Sequence, residues 1–193
     1  MKIKPLVHTR NNRTNSAQAA LGELQAIWRA LWRQHVEWVR MTAQSIAAGQ
    51  ADLFAAGEGL LRNAQDMAAA LERPYGSGLA AGFACLLRGH IWIMLRMMEA
   101  TRTGDAAALA ALEQERCANT GDLAAYLAAI NPNLPQVTIA DLLRQHQQLT
   151  AGMVAAISCG DAAAASQAYE MSLTQSALLA DTMAAAIARQ FMQ

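Results

Sequence analysis

Leu31-Trp32-Arg33-Gln34-His35, Leu86-Leu87-Arg88-Gly89-His90 and Leu142-Leu143-Arg144-Gln145-His146 are three versions of one pentapeptide, and their spacing decides the fold. The histidines stand 55 and 56 residues apart. Each is followed 14 residues later by a glycine, at Gly49, Gly104 and Gly160, and then by Asp52, Asp105 and Asp161. Glycine is the favoured residue just past a helix end and aspartate a favoured N-cap, so each pair marks a helix–turn–helix junction. Further breaks fall at Arg73-Pro74-Tyr75-Gly76 and Asn131-Pro132-Asn133-Leu134-Pro135. Six helices follow, over 17–48, 52–72, 78–103, 105–130, 138–159 and 161–191. The expected fold is an all-α antiparallel bundle built from three tandem αα-hairpins. One hairpin alone would leave an apolar face exposed, so residues 16–193 form a single domain.

Composition agrees. Of 193 residues 54% are hydrophobic and 16% charged, and 44 are alanine, the best helix former. Fifteen Lys+Arg balance fifteen Asp+Glu, so the formal net charge is zero. A nucleic-acid binder normally carries a basic excess, and a disordered chain combines low hydrophobicity with high charge. Both classes are excluded. Residues 1–15 carry four basic side chains and no acid, and read as a disordered or extended tail. No apolar stretch of signal-peptide length precedes Ser16, and no run of about 18 apolar residues occurs. The expectation is a soluble, cytoplasmic protein without a membrane partner. Cys85, Cys117 and Cys159 cannot all pair and lack C-x-x-C spacing, so they read as small buried hydrophobes.

Helical periodicity turns the three histidines inward. His35 lies in the stripe of Leu24, Ile27, Leu31, Trp38, Thr42 and Ile46. His90 lies among Phe83, Leu87, Met94 and Met97, and His146 among Leu142, Leu149, Met153 and Ile157. If the first, third and fifth helices run parallel, the imidazoles share one layer. The second helix of each hairpin carries another aspartate, at Asp66, Asp122 and Asp181, with Asn63 and Asn119 three residues before the first two. At the third, Leu178 breaks the pattern. His35 and Asp66 both lie 14 residues from their turn markers, about 21 Å along facing helices, so Asp66 is placed to reach His35. Trp28, Trp32, Trp38 and Trp92 are expected to pack around the histidines.

Three readings of this cluster are open. A buried histidine needs partners for both ring nitrogens, and a facing Asp or Asn supplies them as a structural layer. Alternatively His35, His90 and His146 hold a transition metal ion (Zn, Fe, Mn or Ni), with Asp66, Asp122 or Asp181 as further ligand or support. The third reading is a small-ligand pocket. The candidate ligand-binding residues are Asn63, Asp66, Asn119, Asp122, Asp181 and Trp38. There is no Glu-x-x-His or His-x-x-x-His, and none of the glycine-rich nucleotide or hydrolase motifs. Arg33, Arg88 and Arg144 read as solvated or paired, and the ten methionines as core. An alanine-rich face leaves a homodimer open.

With these residues in view, the chain resembles a family of small all-helical bacterial proteins whose function is not established, often labelled acetylglutamate kinase or glycosyltransferase. The resemblance rests on LWRQHVEWVRMTAQSIA, LLRNAQDMAAALERPYG, LLRGHIWI, CANTGDLAAYLAAINPN, LLRQHQQLT and LLADTMAAAIARQF, from about residue 28 onward. It implies that His35, Asn63, Asp66, His90, Asn119, Asp122, His146 and Asp181 are recurring polar positions; Gly89 and Trp92 depart from the pattern. It implies no reaction. Both labels name activities that need strands and phosphate loops, and neither is found in these residues. The functional expectation is a binding protein holding a metal ion or small ligand for sensing, storage or delivery. The alternatives are a structural or interaction protein, or a metal-dependent enzyme using an aspartate as general base.

Overall fold

Glycines with positive φ end the helices where the spacing predicts. Gly49, Gly104 and Gly160 take φ of 63°, 70° and 72°, the left-handed conformation that closes a helix at little cost only for glycine. The Asp105 carboxylate accepts from Ala108 N at 2.9 Å, and Asp161 accepts from Ala164 N at 3.0 Å, so both cap the helices they open. A computed structural model describes residues 7–50 and 53–191, with side chains from residue 18 onward. The expected cap Asp52 lies outside the described residues.

The elements are α1 (Val7–Ala47), α2 (Leu53–Tyr75), α3 (Ser77–Thr103), α4 (Ala106–Ile130), α5 (Gln136–Ser158) and α6 (Ala162–Phe191). Two boundaries correct the sequence reading. Helix α1 already runs from Val7, within the stretch expected to be a tail. No proline and a single glycine fall between Val7 and Ala47, so nothing stops a nucleated helix from propagating. Helix α2 continues through Pro74 and stops at Gly76, whose φ is 83°. A proline in the last turn thus shortens nothing here.

The six helices form an all-α bundle. Each packs on its chain neighbours, and α6 returns to pack on α1 and close the ring. Short turns reverse the chain each time, so α1, α3 and α5 run in one direction. These three also touch one another, forming an inner layer with α2, α4 and α6 wedged outside it. Helix α1 packs more extensively on α6 than on its hairpin partner α2. The inner faces bury Trp28, Val39, Leu60, Met67, Ile91, Leu95, Ile139 and Met153 almost completely. Burial of such side chains contributes roughly 1.5–3 kcal/mol each. At one end, buried Asn131 donates from Nδ2 to the Tyr75 hydroxyl at 2.7 Å, and Tyr75 donates to Gln190 Oε1 at 3.1 Å. Gln190 in turn donates to the Ile130 carbonyl at 3.1 Å, tying the ends of α2, α4 and α6 together. Among the described residues, α3 alone is long and apolar enough to cross a membrane, by length and composition.

Candidate metal centre

Helices α1, α3 and α5 each bring one histidine to the bundle axis. His35, His90 and His146 are 1%, 8% and 2% exposed. Their ring centroids lie 5.3 Å (His35–His146), 6.4 Å (His35–His90) and 6.5 Å (His90–His146) apart. One nitrogen from each can be chosen so that all three fall within 4.8 Å of one another. Trp32, itself buried, stands edge-on to His35 at 5.6 Å and to His146 at 5.3 Å and walls the cluster from α1.

The outer helices hold these rings with carboxamides, not carboxylates. Asn63 donates from Nδ2 to the Leu31 carbonyl at 3.0 Å, four residues before His35. That donation turns its Oδ1 toward His35 Nδ1, 3.2 Å away, so Nδ1 carries the proton and Nε2 is left with a free lone pair. The same bond recurs twice. Asn119 donates to the Leu86 carbonyl at 3.0 Å, and Gln175 donates to the Leu142 carbonyl at 2.8 Å, again four residues before the histidine. Their oxygens, Asn119 Oδ1 and Gln175 Oε1, are buried without a partner. So are His35 Nε2 and both ring nitrogens of His146. His90 differs: its Nδ1 faces Gln147 Nε2 at 3.3 Å. Gln147 Oε1 already accepts from Thr120 Oγ1 at 3.0 Å and from Arg116 Nη1, which leaves its amide N–H groups for His90.

Burial holds all three imidazoles neutral. His35 is lowered from 6.5 to about 4, with the Asn63 hydrogen bond opposing desolvation. His90 falls to about 3, first from burial and then because a proton taken up there would stand against a protonated His35 and the Arg116 guanidinium. His146 falls well below 6.5 for the same reasons, burial first, then His35 and His90, with Gln175 opposing.

The aspartates expected at the site are elsewhere. Asp66 and Asp122 are exposed on the outer faces of α2 and α4. Asp181 makes a two-pronged ion pair with Arg29, at 2.7 and 2.6 Å. The physical reason is helical: Asn63 and Asn119 face inward, and a residue three positions on is turned about 60° away, toward the rim. Of the tryptophans expected around the histidines, Trp32 packs there, whereas Trp38 and Trp92 pack elsewhere. Trp38 packs over Gly59 of α2, where an added Cβ would meet its indole at 2.4 Å. Trp92 is 37% exposed and stacks on Phe54 at 6.3 Å. The cysteines are all exposed, against the expectation of burial. Arg144 pairs with Asp141 at 2.6 Å, while Arg33 and Arg88 are exposed.

Gln175 and the Gln147–Thr120–Arg116 group are the residues the sequence reading missed. Gln175 had a signal, standing 14 residues after Asp161 just as Asn119 stands 14 after Asp105. Beside His90 lies a cavity of about 340 Å³ between α3, α4 and α5, with Arg116, Gln147 and methionines 94, 97 and 98 in its wall. Comparison with protein-family models, with curated proteins and with solved structures finds no match.

Proposed function

We propose that this chain is a metal-binding protein in which His35, His90 and His146 ligate one first-row transition ion for storage, delivery or sensing. The observation that carries this reading is the set of buried ring nitrogens that no protein group satisfies at the cluster, His35 Nε2 and at least one nitrogen of His146, whose ring otherwise has only the Gln175 carboxamide beside it. A polar layer that served helix register alone would leave few such atoms, because each costs about 1–3 kcal/mol unsatisfied. Here the carboxamides hold the outer nitrogen of His35, and by the same register address His146, while the inner lone pairs are left to converge. That is the support that imidazole ligands receive around a metal. The donor set fits with some closure. Tetrahedral zinc at Zn–N near 2.1 Å requires nitrogens about 3.4 Å apart, so from a spread of up to 4.8 Å the rings draw in by up to about 1.4 Å. Three nitrogen donors suit zinc, iron or nickel; manganese prefers oxygen ligands, and the carboxylates that would supply them lie outside the site. Gln147 donates to His90 Nδ1, which places the His90 proton on Nε2, so His90 ligates through Nε2 only once its ring turns and an Nδ1 proton finds an acceptor such as the unpartnered Asn119 Oδ1, the equivalent of the oxygen that serves His35.

A metal-dependent enzyme is the weaker reading, since the aspartates expected as general base stand on the rim. The family resemblance, a bacterial origin and a cytoplasmic location remain expectations from the sequence. The test is titration of the chelator-stripped chain with Zn²⁺ or Co²⁺, beside His35→Ala, His90→Ala and His146→Ala. One ion per chain, with affinity falling at least about a hundredfold in each folded variant, is expected. Wild-type affinity retained by the three variants would refute it.

A further inference from the structure

Three neutral imidazoles leave the charge of a divalent ion uncompensated, and the aspartates that might have balanced it are absent from the site. An uncompensated dication in an apolar bundle is costly, so an anion has to accompany it. The cavity beside His90, the one histidine of the three in its wall, offers a berth. Its walls are mostly apolar, formed by Ile93, Met94, Met97, Ala151 and Val154, and its volume of about 340 Å³ falls in the range of small-molecule sites. Its polar end is a relay: Arg116 donates to Gln147, and Gln147 faces His90 Nδ1 at 3.3 Å. The Arg116 guanidinium is held in place by Glu113, through Nε at 2.7 Å and Nη2, with a longer Nη2 contact to Cys117. Of its two Nη1 protons, one goes to Gln147, and the other has no partner among the hydrogen bonds of the site, in a side chain that lines the same cavity as His90.

We propose that this cavity binds a small organic monocarboxylate with an apolar body, its carboxylate between Arg116 Nη1 and the metal-bearing end of the triad and its body against the methionine wall. The inference rests on the metal reading above. The carboxylate supplies the missing negative charge, and Arg116 orients it with a charge-assisted hydrogen bond. The apolar body distinguishes the ligand from hydroxide or chloride.

The experiment loads the full chain with Co²⁺ and titrates sodium hexanoate, following the visible bands of the ion. A saturable change in these bands is expected. Acetate, with the same head group and little body, should bind at least about tenfold more weakly. Arg116→Gln should weaken hexanoate about tenfold, the loss of one charge-assisted bond. Ala151→Phe, or the smaller Ala155→Leu if that variant does not fold, should take up cobalt normally and lose the hexanoate response. Cobalt uptake without a hexanoate response, or an equal response in the filled variants, overturns the ligand site and leaves the metal reading standing. A folded chain that takes up no cobalt overturns both.

Discussion

His35 is 1% exposed, is lowered from 6.5 to about 4, and has one ring nitrogen bonded and the other free. Two consequences follow from that combination. As pH falls below 6.5 the unfolded chain takes up a proton that the folded chain refuses. The stability of the metal-free protein is therefore complete above pH 6.5 and is lost progressively down to about pH 4. His35 alone accounts for about 3 kcal/mol over that window, and His90 and His146 act in the same direction. Urea midpoints measured in chelator from pH 7.5 to 4.5 should fall steeply below 6.5; a flat profile would contradict the burial of neutral imidazoles. Gln175 offers a sharper separation of roles. Its Nε2 donates to the Leu142 carbonyl, so Gln175→Leu should destabilise the metal-free chain by about 1 kcal/mol, the loss of one neutral hydrogen bond. If the carboxamide orients His146 as a ligand, the same change should weaken zinc binding 10–100-fold, roughly. Equal zinc affinity in the variant would make Gln175 a packing residue only. The inward placing of the three histidines was legible from their apolar stripes. Their true partners were not, because Asn63 and Asp66 lie on neighbouring faces of α2, and periodicity resolves such an angle poorly. Chemical preference for a charged partner pointed to Asp66, whereas the cost of burying a carboxylate favours the amide.

The helices also differ in how closely they approach. Along the α1–α2 seam, Gly59 lies under Trp38, and an added Cβ would sit 2.4 Å from the indole. A rigid two-ring side chain has little room to yield, so Gly59→Ala should destabilise by about 1–3 kcal/mol. Gly121 sits in the middle of α4 with nothing within 4 Å of an added Cβ. There the helix propensity of alanine dominates, and Gly121→Ala should stabilise by about 0.5–1 kcal/mol. Thermal melts of both variants check the pair, and the same sign for both would contradict the packing described here. Helix ends at Gly104–Asp105 and Gly160–Asp161 could be read from the chain, because cap chemistry is local. The run of α2 past Pro74 could not, because it depends on Gly76 and on the packing of Tyr75 between Asn131 and Gln190.

Over the whole molecule, the ring of six helices places three parallel inner helices so that one histidine from each meets at the axis. No single helix contains the site; it exists only when α1, α3 and α5 are assembled. An ion bound there binds the folded state alone, so it should raise stability by RT ln(1 + [M]/Kd), about 2.7 kcal/mol at a hundredfold excess over Kd. The pentapeptide repeat made this convergence legible. The cavity did not show in the sequence, since it depends on side chains from three helices whose spacing in space no periodicity encodes. The most direct test is elemental mass spectrometry of the purified, untagged protein and of His146→Ala. Near-stoichiometric zinc, iron or nickel in the wild type, and its loss from the folded variant, is the result predicted. A wild-type chain that carries no metal, and takes none up when zinc, iron and nickel are offered to it, would contradict the central claim.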